Sequence, residues 1–307
     1  MPDTPLPGPV LTSLALPPGL TVAEGFTGIA TFLGDTIQRT APAISDGAGD
    51  PTPVHQTRVA TRRLRSALAI FRPAIDVPET QALNEALRDF ARTLGPAREW
   101  DVFLAGTATR VAALFPAQAD MEPFLAACTA RRDAAYRDLT VADALPIIAT
   151  SIAALTQSTA WRDTLPADTQ SALDAPLEPF AATILRRRHR RVRRAGRHFK
   201  SLESEALHEL RLAGKRLRYA AEFFAGLFDP PAASRYIRRL TRLQDRLGEI
   251  NDDSIIARLL AELEPADTAQ GFAAGAVRGY IAGTGSHAGQ LAAQTWKRFR
   301  RLPPFWS

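Results

Sequence analysis

Cysteine is almost missing from this chain of 307 residues: Cys128 stands alone. One thiol excludes an intrachain disulfide and any zinc site built on cysteines. Its neighbours Phe124, Leu125, Ala126 and Ala127 mark it as a small core side chain. No run of 18 apolar residues occurs, so no membrane-spanning helix is expected. The first basic residue is Arg39, and the N-terminus therefore lacks the positive region of a secretory signal. A cytoplasmic protein is the expectation. Strict alternation rich in β-branched residues is absent, which removes strands from the expected fold. There is no glycine-rich phosphate loop. Histidines at metal-ligand spacing are also wanting: His208-Glu209 has no second histidine one turn on, and His189 and His198 are nine positions apart. No metal and no cofactor are expected.

Arginine, by contrast, is abundant. Lys and Arg total 38 against 32 Asp and Glu, giving a net charge of +6 and a pI near 10.0. That excess points to an anionic partner, and the length suffices for one large or two small domains.

The arginines are ordered. From His55 the chain reads His55-Gln-Thr-Arg58-Val-Ala-Thr-Arg62-Arg63-Leu-Arg65; from His208 it reads His208-Glu-Leu-Arg211-Leu-Ala-Gly-Lys215-Arg216-Leu-Arg218. All five histidine or cationic positions recur 153 residues later, the mark of an internal duplication. On a helix His55, Arg58, Arg62 and Arg65 share a sector of roughly 80°, a row of cations about 15 Å long. Ala60, Leu64, Ala67, Leu68 and Phe71 lie opposite, as do Leu217, Ala220, Ala221 and Phe224 in the second occurrence. One face packs and the other stays charged. Four like charges on one sector destabilise a helix by a few tenths of a kcal/mol per pair, and no acid within either motif is placed to neutralise the row. Such a row suits a polyanion.

Taken in order, residues 1–20 carry prolines at 2, 5, 7, 9, 17 and 18 and read as a flexible lead-in. Thr21 to Glu24 fits a capping box that opens a helix to about Arg39. The motif helix is expected from Thr52-Pro53 to Arg72, stopping before Pro73. Further helices read as about 79–94, 99–114, 119–139 and 143–161, then 177–200, 204–227, 232–247, 251–263, 267–282 and 287–301, with Gly283 and Gly285 marking the last break. The fold is therefore all-α, expected as two similar helical bundles related by a pseudo-twofold axis, with the cationic rows across a shared cleft or pore. Leu94-Gly95 and Leu247-Gly248 keep the same offset. Residues Arg186 to Lys200 hold eight Arg, one Lys and two His with no acid. There Arg187, Arg190, Arg194 and Arg197 point away from the apolar stripe, and this helix is expected to line one groove with the second motif helix.

The two His-x-x-Arg-x-x-x-(Arg/Lys)-Arg-x-Arg helices, the Leu94-Gly95-x-x-Arg98-Glu99 turn and the Leu247-Gly248-x-x-Asn251-Asp252 turn resemble those of the CHAD family, the conserved-histidine α-helical domains. The resemblance implies one such domain over 21–307, with a first repeat of about 21–165 and a second of about 170–301. It further implies binding of inorganic polyphosphate in a basic central channel, and association with polyphosphate granules and their proteins in bacteria. Carried onto this sequence, the contacts would be His55, Arg58, Arg62, Arg63 and Arg65, then His208, Arg211, Lys215, Arg216 and Arg218, with Arg98 at the turn. Glu99 stands where the family has Asp. Glu99, Asp101, Asp252 and Asp253 read as helix caps and as carboxylates that hold arginines in position. The Glu-x-Glu-x-Lys signature of the triphosphate-tunnel domain that accompanies many family members is missing: Glu203-Ser-Glu205 lacks the lysine.

The chemistry agrees with the residues. A guanidinium bonds two phosphate oxygens at once and keeps its charge in any protein setting. Two rival readings stand beside this one. An enzyme acting on phosphate chains needs carboxylates on a metal or a covalent nucleophile, for which Asp252 and Asp253 are thin material. A nucleic-acid binder would need exposed aromatics for stacking or Asn and Gln for base edges, and the motif helices offer only Tyr219. A non-catalytic polyphosphate binder is the expectation.

Overall fold

The computed structural model describes residues 16–46, 50–115, 121–251, 253–263 and 268–306. Among them every named element of secondary structure is a helix. The first half holds α1 (Val22–Thr40), α2 (Ala43–Asp46), α3 (Thr52–Ile75), α4 (Pro78–Thr93), α5 (Gly95–Phe103), α6 (Thr109–Leu114), α7 (Met121–Arg137) and α8 (Ala144–Thr156). The second holds α9 (Ala167–Asp174), α10 (Leu177–Ala195), α11 (Ser204–Phe224), α12 (Pro230–Asn251), α13 (Asp253–Glu262) and α14 (Thr268–Phe299).

Local chemistry starts these helices where expected in several places. Thr21 Oγ1 accepts from the Glu24 N–H at 3.2 Å while Glu24 Oε2 accepts from the Thr21 N–H at 2.8 Å, closing the predicted capping box. α3 begins at Thr52, one residue ahead of the expected start, because Asp50 Oδ1 accepts from the Thr52 N–H at 2.8 Å and caps it from outside. At the other end α3 runs through Pro73 to Ile75. Phe71, Ala74 and Ile75 are all buried there. Their burial offsets the hydrogen bond that Pro73 cannot donate. α4 and α5 meet at a corner: Pro96 has no N–H to continue the α4 ladder but fits the first turn of α5, which therefore starts at Gly95 and not at 99. A one-turn π-helix, Leu104–Ala108, joins α5 to α6.

Two further differences concern the ends of the chain. The expected break at Gly283 and Gly285 is absent, and α14 is a single helix of 32 residues. Two interior glycines cost about 1 kcal/mol each, and packing on α12 and α7 outweighs that. The expected flexible lead-in lies outside the described residues as far as residue 15. Leu16, by contrast, is core, and the Gly19 N–H donates to Glu178 Oε1 at 2.8 Å. Gly19 turns there with φ of +86°, a conformation glycine adopts without strain.

Each half is built of helices packed in sequence, though α1 also packs closely on α8 whereas α10 meets α14 much less closely. α1 packs on α3, α3 on α4 and α4 on α8; α10 packs on α11, α11 on α12 and α12 on α14. The two motif helices, α3 and α11, also touch each other. Phe71 meets its counterpart Phe224 with ring centroids 5.9 Å apart. The apolar faces expected on both helices are buried, from Ala60 to Phe71 and from Leu217 to Phe224. The hydrophobic cores, however, are not divided half by half. One large core joins α1, α3, α4 and α8 to α10, α11, α12 and the C-terminal end of α14. A smaller one joins α5 to α7 of the first half to α13 and the start of α14, and Cys128 is buried in it.

Candidate functional site

Between these two cores lies a half-open cleft of about 400 Å³. His55, Arg58 and Arg62 enter it from α3, Arg98 from α5, Arg110 from α6, and Arg211 and Lys215 from α11. Both motif helices thus feed one hollow. Gly106 and Thr107 of the π-helix and Val102, Ile255 and Leu259 form a small apolar wall. Among the described residues, six cations share the cleft with one carboxylate, Glu99, which is bonded to Arg258 from α13.

Backbone packing sets the arginines. Arg58 Nη1 donates to the Ala91 carbonyl at 2.9 Å and lies against Gly95, where an added Cβ would sit 3.6 Å from it. Arg211 lies against Gly248 in the same way, with Nη2 3.6 Å from the Cβ position. Leu94-Gly95 sits at the α4–α5 corner, whereas the expected turn at Leu247-Gly248 lies inside α12, yet each glycine holds the same kind of contact with a motif arginine. Burial, with Arg62 and Arg98 close by, lowers the Arg58 pKa; burial is also the main cause of the lowering at Arg98. His55 is pushed down to about 4 by burial first, then by Arg98 and Arg62, and stays neutral at pH 7. Burial and neighbouring like charges thus both disfavour additional positive charge at these side chains.

Glu99 and Asp101 hold arginines, as expected, but arginines outside the motif helices. Asp101 is buried and accepts from Arg132 Nε at 2.7 Å and from Tyr136 Oη at 2.8 Å, so it holds an arginine of α7 and not one of the motif. Its negative charge still favours the charged forms of Arg98 and His55. Glu99 holds Arg258. The Asn251-Asp252-Asp253 turn lies outside the described side chains.

Several predicted contacts point elsewhere. Arg63 Nη1 donates to Glu222 Oε2 at 2.7 Å, and Arg218 Nη1 to Glu222 Oε1 at 3.1 Å. A carboxylate one turn beyond the second motif thus neutralises one arginine from each, which the motifs by themselves could not reveal. Arg65 donates to Asn84 at 3.3 Å, and Arg218 Nε donates to Gln244 at 2.8 Å. His208 is half-buried on α11 and does not line the cleft. Tyr219 is buried, with the guanidinium of Arg62 5.9 Å and that of Arg218 5.3 Å from its ring centroid, so it cannot stack on a base. The arginines of α10 do not join the cleft. Arg187, Arg190 and Arg194 meet Arg216 and Arg72 around a second hollow of about 650 Å³, and Arg197 lies with Lys200 and Lys297 beside the stacked Phe199 and Trp296. Arg110, which does line the cleft, carried no motif signal because it stands alone on a short helix. No three His, Cys, Asp or Glu side chains are placed together to hold a metal among the described residues. No described helix is long and apolar enough to cross a membrane.

Fold and cleft together define an all-helical protein with two arginine-bearing motif helices facing one cationic hollow. The CHAD domain model matches residues 29–261, and the chain belongs to that family. The crystal structure of the CHAD domain from the plant Ricinus communis superposes with a TM-score of 0.77 at 28% identity, covering 94% of this chain and 95% of that one. PptA from Streptomyces chartreusis shares the fold, with a TM-score of 0.66 at 17% identity over 91% of this chain and 100% of that one. No curated protein matches the sequence.

Proposed function

We propose that this chain binds inorganic polyphosphate in the cleft between its two cores, performs no reaction on it, and is carried by that binding to polyphosphate granules. One observation carries the reading: six cations from α3, α5, α6 and α11 line one hollow, and the one carboxylate among its described lining residues, Glu99, is bonded to Arg258. A linear polyphosphate carries about one charge per unit and has no base to read, so it asks for guanidinium groups and little else. The cleft offers that. A nucleic acid would also find cations here, but Tyr219 lies in the core and the cleft presents no exposed aromatic for a base.

The test is a titration with long-chain polyphosphate, with duplex DNA as competitor at equal phosphate concentration. Replacing Arg58 and Arg211 together by Ala removes two charge-assisted contacts, and affinity falls by about 100-fold. The melting temperature moves by only a few degrees, since neither side chain belongs to the apolar face. A matched collapse of folding would make both residues structural, and displacement by DNA would remove the specificity.

A further inference from the structure

The second hollow is the feature that the cleft leaves unused. Its wall is made by α10, whose Arg187, Arg190, Arg191 and Arg194 face Arg216 of α11 across Ala69 and Arg72 of α3. At about 650 Å³ it is roomier than the cleft. Arg72 is bonded to Asp76 at 3.2 Å, with both side chains well exposed. None of the other five forms an ion pair among the described residues. Arg188 also lines the hollow; it is half-buried and donates to the Arg216 carbonyl, and burial, then Arg187 and Arg216, holds its pKa at about 10.

The duplication explains why this charge is unbalanced. Arg216 is the counterpart of Arg63, and Ala69 is the counterpart of Glu222, each pair separated by 153 positions. Arg63 bonds to Glu222 and is 13% exposed in its side chain. Arg216 has an alanine in the matching place and stays exposed. Where the protein supplies its own carboxylate on one side, it leaves a gap lined by guanidinium groups on the other. We propose that this gap is a second anion site, one that takes a short oligophosphate in the position that Glu222 fills beside Arg63, and that it works independently of the cleft. Among the described residues the lining contains no aromatic and no acid other than Asp76 on its rim, so its ligand is compact, fully charged and without an apolar part.

The experiment counts tripolyphosphate bound per full-length chain by calorimetry. Wild type binds two. Ala69→Glu builds the missing counter-charge and binds one, whereas Ala69→Gln, of the same size but neutral, still binds two. The Arg58→Ala/Arg211→Ala variant keeps the second site and loses the first. Should Ala69→Glu not fold, the exposed double reversal Arg187→Glu/Arg194→Glu loses the same site. The proposal is overturned if Ala69→Glu leaves the count unchanged, if Ala69→Gln loses as much as Ala69→Glu, or if the Arg58→Ala/Arg211→Ala variant binds none. A wild type that binds one, with Ala69→Glu binding none and the Arg58→Ala/Arg211→Ala variant unaffected, would sink the cleft reading and leave the second site standing.

Discussion

At the scale of single residues, His55 couples the cleft to protons. Its folded pKa of about 4 lies below the ordinary 6.5, because burial and two arginines oppose a further positive charge. A group whose folded pKa is depressed takes up its proton in the unfolded chain first. The stability it contributes is present above pH 6.5 and is lost as pH falls toward 4. His189, also lowered to about 4 by burial and Arg193, acts in the same direction from its place against Tyr236. The free protein should therefore lose on the order of 1 kcal/mol per histidine by pH 5, read as denaturant midpoint against pH, and His55→Gln should flatten the curve. A bound polyanion reverses the sign at His55. It favours the imidazolium, so binding takes up a proton and tightens as pH falls from 7, and this proton uptake should vanish in His55→Gln while persisting in wild type.

At the scale of elements, α3 and α11 are tied by one carboxylate. Glu222 receives Arg63 from α3 and Arg218 from its own helix, both pairs mostly screened from water. Glu222→Ala leaves two half-buried guanidinium groups without their partner and should cost on the order of 2 kcal/mol of stability, measured by denaturant unfolding. Polyphosphate affinity at the cleft should stay within a few-fold of wild type, because Arg63 and Arg218 do not line it. Equal loss of binding would return these two arginines to the ligand. The apolar faces of both helices were legible from periodicity alone, since an oily stripe on a helix has only one place to go. The boundaries at Pro73 and Gly283 were not, because a helix breaker carries a local cost that packing on distant helices can outweigh.

At the scale of the whole molecule, the cleft exists because the cores cross between the halves. α5 to α7 leave their own half to join α13 and α14, and the space between that small core and the large one becomes the site. Six converging cations predict a salt dependence with a log–log slope of about −4 for polyphosphate, and a slope shallower by about 1.4 for the Arg58→Ala/Arg211→Ala variant. Affinity followed from low to high salt checks this, and a flat response would mean a ligand held by other forces.

The sequence by itself determined the all-helical fold, the recurrence of one motif at a fixed offset and the presence of cationic rows, because these depend on spacings of a few residues. It also singled out most of the cleft: His55, Arg58, Arg62, Arg98, Arg211 and Lys215. What only the tertiary structure decided is how the remaining arginines are shared out. Arg63 and Glu222 are 159 positions apart, and α10 turns its charge toward Arg72 and Arg216 and away from the cleft. A guanidinium is charged wherever it stands, but whether it meets a carboxylate, an amide or an open hollow is settled by which distant helix packs beside it.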